Sequence, residues 1–155
     1  MTTGYRLTAA TGIHKGDREY QQDQVAVFTH PRAPGCLLAV LADGMGGRSG
    51  GRKASDQVLM TARQLFERFS PTTDDAPSML RQIAQEAHIV IRLTAISAEQ
   101  EPHSTIALFL INPGADANWL HAGDSRIYHF SSGRMAKRTL CLLYTSDAAD
   151  ERSSV

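Results

Sequence analysis

The chain has 155 residues, 16 basic and 16 acidic, and a formal net charge of zero. That leaves room for one domain, its 42% apolar content can build a core, and the neutral balance excludes the basic excess expected of a nucleic-acid or membrane-surface protein. No apolar run approaches the ~20 residues of a membrane span, Met1–Leu7 carries no apolar signal core, and two cysteines, Cys36 and Cys141, can form neither a framework of bridges nor a four-ligand zinc site, so reduced thiols in a cytoplasmic protein are expected.

Tyr5 to Ile13 alternates loosely and predicts a first strand. His14 to Gln24 is polar, and Val25 to Phe28 is a short β-prone segment. Pro31, Pro34 and Gly35 mark a turn. Cys36 to Ala42 is continuously apolar and predicts a fully buried strand. Asp43 to Gly51 follows, with five glycines in the eight residues from Gly44, too glycine-rich for a helix and therefore expected to be a loop. From about Arg52 the period changes: Ala54, Val58, Ala62, Leu65, Phe66 and Phe69 make one apolar helix face. After a loop over Pro71–Pro77, Ser78 to Ala98 predicts a second helix with Leu80, Ile83, Ala87, Val90, Ile91 and Thr94 inward. Thr105–Ile111, Trp119–Ala122, Ile127–Phe130 and Arg134–Arg138 then read as strands, with the tight Gly123-Asp124-Ser125-Arg126 between the second and third. Two adjacent helices between groups of strands indicate an α+β fold with antiparallel sheets and helices outside them.

Chemistry concentrates at strand ends. Asp43 closes a buried strand and is followed by glycines, which exposes carboxylate and carbonyl oxygens of the kind that hard divalent cations take. A single Asp-Gly pair is also ordinary turn chemistry. The glycine loop is neither a dinucleotide fingerprint, since Ser49 stands where the last glycine belongs, nor a P-loop, since no Gly-Lys-Ser/Thr follows. Arg18 presents a planar donor fork suited to phosphate. Asp124 sits where a hairpin turn is expected, a position equally open to an Asx turn.

Together these segments resemble the metal-dependent PPM, or PP2C-type, serine/threonine protein phosphatases. Arg18-x-x-Gln21-Gln22-Asp23 is similar to their opening motif, Asp43-Gly44-Met45-Gly46-Gly47 to their second in its bacterial form, His103-Ser104-Thr105 to a later strand start, and Gly123-Asp124-Ser125-Arg126 to their GDSR motif. The order matches over about residues 4–139. The resemblance implies a PP2C-like β-sandwich of antiparallel sheets flanked by helix pairs. It implies hydrolysis of phosphoserine and phosphothreonine by water that two Mn²⁺ or Mg²⁺ ions activate, with a third metal in bacterial members. Arg18 and Asp43 would be catalytic, Arg18 by binding substrate phosphate. Asp23, Asp43, Gly44 and Asp124 would serve the metals, and Gln22, Gly46 and Gly47 would shape the site behind them. The partners implied are phosphorylated proteins made by a bacterial Ser/Thr kinase, with neither nucleic acid nor membrane, and the protein would be a monomer.

The chain departs from the family pattern in places. Gln21 and Gln22 stand where Asn and often Glu occur, and Met45 stands where many eukaryotic members carry a histidine proposed as general acid. No Asp-Gly follows Asp124 and no Asp-Asn occurs, although the family has two such downstream acidic motifs. Residues 1–139 are therefore expected to be the N-terminal part of a phosphatase domain, inactive alone, and 140–155 a non-native tail. The alternative is a non-catalytic module that binds phosphoproteins.

Overall fold

The computed structural model describes residues 4–95 and 101–141. The expected end of the second helix and the tail from residue 142 onward lie outside the described residues.

Strands β1 (Asp23–Thr29) and β2 (Leu37–Met45) pair antiparallel, in register from Asp23 opposite Asp43 to Thr29 opposite Leu37. The turn between them closes through the His30 amide to the Cys36 carbonyl, 3.0 Å. Two helices follow, α1 (Gly47–Arg68) and α2 (Ala76–Ala95). The short β3 (His103–Ser104) pairs with the far end of β2, and β4 (Ile106–Ile111) pairs with the rest of it. Strand β5 (Ala117–Ala122) adds to β4, giving the order β1-β2-β4-β5 with β3 beside β2. Strands β6 (Tyr128–Ser131) and β7 (Arg134–Arg138) form a separate hairpin. The fold is α+β with antiparallel sheets, as expected.

Period-2 alternation gives the main sheet two unlike faces. Leu38, Val40 and Ala42 of β2 and Leu108 and Leu110 of β4 are buried in one cluster with Ala54, Val58, Ala62 and Phe66 of α1 and Leu80, Ile83 and Ala87 of α2. Each large side chain buried there contributes roughly 1.5–3 kcal/mol. On the opposite face Leu37, Ala39, Val25 and Val27 are only half-buried, and Leu41 and Trp119 are 41% and 42% exposed. The apolar run from Cys36 is therefore buried on one face, not two. The β6–β7 hairpin touches this open side at its edge: Lys137 Nζ lies 5.7 Å from the Trp119 ring centre, and the Leu140 carbonyl is 2.8 Å from His121 Nε2. No described helix is long and apolar enough to cross a membrane.

Four local expectations are corrected. Tyr5–Ile13 forms no strand: its Leu7 and Ile13 stay exposed, and the segment is tethered by Tyr5, whose hydroxyl donates to the Pro113 carbonyl at 2.9 Å. Strand β2 runs on through Asp43 to Met45 because β3 supplies it with a partner. Helix α1 begins at Gly47, five residues before the expected start, so the glycines do lie in a helix. The cause is tertiary: a Cβ on Gly44 would lie 1.9 Å from the Gly51 carbonyl oxygen, so helix and strand meet only where both side chains are missing. Thr94 is exposed rather than inward, and Val90 half-buried.

Candidate metal centre

The antiparallel register sets Asp23 directly across from Asp43 at the end of the β1–β2 pair. Cross-strand partners have Cβ atoms about 5 Å apart, and like charges so placed repel. The Asp43 carboxyl is accordingly held above the usual carboxylate range. Its causes are, in order, partial loss of water, a hydrogen bond shared with Asp23, and the negative charges of Asp23 and Asp124; Arg18 works in the opposite direction. Three charged groups, Asp23, Asp124 and Arg18, thus act on one carboxyl.

Asp43 sits on the same face of β2 as Leu41 and Met45, two residues to either side. The site therefore lies at one end of the open sheet face. The backbone around it is pinned. The Asp43 amide donates to Thr105 Oγ1 at 3.0 Å, and the Thr105 amide donates to the Asp43 carbonyl at 2.9 Å. On the other side the Gln22 carbonyl accepts from the Gly44 amide at 3.2 Å and from Ser55 Oγ, on α1, at 2.6 Å. The Gln21 side-chain carbonyl accepts from the Asp23 amide at 3.0 Å, and the Gln22 amide group donates to the Gly47 carbonyl. Gln22 thus ties the polar loop to the start of α1.

A cleft of about 590 Å³ opens here, lined by Arg18, Glu19, Tyr20, Gln22, Met45, Gly46 and Gly47. Met45 is 65% exposed at its mouth and has no proton to give. Gly46 caps α1 with φ 139°, and a Cβ there would press within 2.6 Å of the Glu101 carbonyl oxygen. A larger cavity, about 830 Å³, lies between α2 and the start of β4; it has an apolar floor of Val58, Ala87 and Ile91 and only Glu101 for a carboxylate. The smaller cleft is the one lined by Arg18 and by the glycines that follow Asp43 and Met45, and it lies beside the aspartates without being lined by them.

Asp124 lies in the bend between β5 and β6, not in a hairpin turn, since β6 leaves the main sheet to pair with β7. Gly123, at φ 99°, turns the chain so closely over Thr105 that a Cβ would lie 2.8 Å from Thr105 Cγ2. Ser125 Oγ then meets Thr105 Oγ1 at 2.5 Å. Every candidate residue is thus near this strand end, and Thr105, Ser125 and Ser55 join them. The sequence signal for Thr105 and Ser125 was their place inside recurring motifs, which gives no role. Ser55 had no signal beyond a polar residue on an apolar helix face.

Oxygen donors facing one another, with the negative charges of Asp23 and Asp124 crowding Asp43, suit a hard divalent cation, whose binding would relieve the repulsion. Among the described residues no three His, Cys, Asp or Glu side chains converge closely enough to form a full cage.

The sequence matches the family model described as protein phosphatase 2C over residues 12–141. No curated protein matches it. The fold is shared with the serine/threonine phosphatase PstP/Ppp of Mycobacterium tuberculosis, at TM-score 0.71 and 23% identity over 88% of this chain and 55% of that one. The PstP catalytic domain in complex with two manganese ions gives TM-score 0.62 and 23% identity over 76% of this chain and 48% of that one. The PPM Ser-Thr phosphatase MsPP of Mycobacterium smegmatis, in complex with cacodylate, gives 0.57 and 26% over 76% and 46%. The chain spans about half the length of these solved relatives.

Proposed function

The chain belongs to the protein phosphatase 2C family, and on that premise we propose that it contributes part of a metal-dependent enzyme hydrolysing phosphoserine and phosphothreonine in proteins. The observation that carries the reading is the convergence of Asp23, Asp43, Asp124 and Arg18 on one strand end beside a cleft. Asp23 and Asp43 hold Mn²⁺ or Mg²⁺, with the Gly44 carbonyl and Asp124 as further donors. When bound, the cations supply activation of water and neutralisation of phosphoryl charge. Arg18 orients the phosphate through its planar fork. Gln22, Gly46 and Gly47 hold the loop that carries these groups. Met45 leaves protonation of the departing alkoxide to solvent or to a group elsewhere. The substrates are products of a bacterial Ser/Thr kinase, met by a monomer in the cytoplasm.

The incomplete cage among the described residues favours a second reading for this chain by itself, phosphoprotein binding without turnover. Mn²⁺ with p-nitrophenyl phosphate and with a phosphothreonine peptide separates the two. Metal-dependent peptide binding lost in Asp43→Ala, with little turnover, is expected. Robust turnover abolished by Asp43→Ala would show that the 155-residue chain is an enzyme unaided. Binding that needs no metal and ignores Asp43→Ala would overturn the metal centre itself.

A further inference from the structure

Three stretches remote in sequence meet through two hydroxyl groups. Thr105 Oγ1 accepts from the Asp43 amide at 3.0 Å and shares a hydrogen with Ser125 Oγ at 2.5 Å. The Thr105 amide returns a bond to the Asp43 carbonyl at 2.9 Å, and the Thr105 methyl is where Gly123 packs. Thr105 Oγ1 has a second lone pair and a proton besides, so either hydroxyl can donate across the contact, and in both cases a continuous chain links Asp43 through Thr105 to Ser125.

We propose that Thr105 and Ser125 are positioning residues that set the gap between Asp43 and Asp124. This rests on the metal reading above and assigns the pair a task that neither aspartate can perform. Asp124 lies in a bend outside the sheet ladder, so no strand register fixes it. The hydroxyl pair replaces that register. It carries the residue after Asp124 onto the residue that grips Asp43, at a part-buried place where the bond is shielded from water. Groups that orient metal ligands from behind commonly govern metal affinity by about 10–100-fold.

Nuclear magnetic resonance of the full chain tests this with Thr105→Val, which keeps the shape and removes the hydroxyl, and with Thr105→Ser and Ser125→Ala. In the metal-free chain, Thr105→Val and Ser125→Ala should shift the amide signals of residues 124–126, while Thr105→Ser, which keeps the hydroxyl but loses the methyl beside Gly123, should move the signal of Gly123 and leave those of 124–126 nearly in place. On Mn²⁺ titration the wild type should lose the signals of Asp43 and of 123–126 together through paramagnetic broadening. In Thr105→Val the 123–126 signals should persist to about tenfold higher Mn²⁺. If those signals superpose on wild type in both hydroxyl-deleting variants and broaden at the same Mn²⁺ concentration, the positioning role is overturned. A wild type in which Mn²⁺ broadens nothing near Asp43 would sink the metal centre instead, and the metal-free shifts would still decide the coupling. If Thr105→Val does not fold, Ser125→Ala alone carries the decision.

Discussion

Asp23 and Asp43 face one another across β1 and β2, and the carboxyl of Asp23 helps hold that of Asp43 above the usual carboxylate range. Two acids so placed bind a proton, or a cation, more readily than either would alone. Asp43 in the fold therefore titrates above its unfolded value. The stability that its proton brings is complete below the usual carboxylate range and is lost as pH rises through the raised value. At neutral pH the ionised pair works against the metal-free fold. Asp43→Asn should raise the melting temperature of the metal-free chain at pH 7 by roughly 1–3 °C, a modest figure because the site is water-accessible. The gain should vanish near pH 3. Thermal scans at the two pH values check it, and a stability loss at pH 7 would contradict the repulsion.

Metal should do what the proton does. Saturating Mn²⁺ is expected to raise the wild-type melting temperature, by an amount corresponding to about 2.7 kcal/mol if the free ion reaches a hundred times its dissociation constant. The same scan on Asp43→Asn should show almost no shift.

Arg18 should act on phosphate more than on metal. Arg18→Lys keeps the positive charge and loses the fork, so inorganic phosphate affinity of the Mn²⁺-loaded chain should fall about tenfold with the Mn²⁺ affinity nearly unchanged. Calorimetric titration of each ligand distinguishes the two.

His30 is buried where the β1–β2 turn meets the end of α1. Its Nδ1 accepts from the Arg32 amide at 3.2 Å, which leaves the Nε2 proton for the Phe69 carbonyl at 2.8 Å; the ring stands edge-on to Phe66 at 5.2 Å. His30→Ala should cost about 2–3 kcal/mol in urea denaturation, through the lost contact and an abandoned carbonyl.

Cys36 is buried in the same turn, and burial pushes its thiol from 9.0 up to about 11. Its thiolate population at pH 8 is thus roughly a hundredfold below that of a free cysteine. Iodoacetamide should label it in urea and leave it intact in the native chain, as peptide mass mapping would show.

Much of this site could be read from the sequence because its residues lie in short motifs whose chemistry is local. Asp43 and Arg18 each had an ordinary reading alone, as a turn carboxylate and a surface arginine, and it was the four motifs in order that singled them out. The element order was legible for the same reason, from the switch between period 2 and period 3.6. What failed depended on partners. Gly47 to Gly51 have poor helix propensity, and the close approach of Gly51 to Gly44 overrides it. Cys36–Ala42 looked buried on both faces, yet its second face depends on what packs there. Tyr5–Ile13 has strand-like alternation but too little apolar surface to join a sheet. The hydroxyl bond between Thr105 and Ser125 spans 20 positions, and no periodicity reports it.

The contact between Gly44 and Gly51 has a mechanical consequence. Two backbones touch there with nothing between them, one belonging to the strand that bears Asp43 and the other to α1. A Cβ on either glycine would overlap the other's carbonyl group, so the closest approach of helix and sheet is set at that point. A side chain added at either glycine must therefore push α1 away from the strand that bears Asp43. The spacing between α1 and the carboxylates is thus fixed by two missing side chains rather than by any that are present.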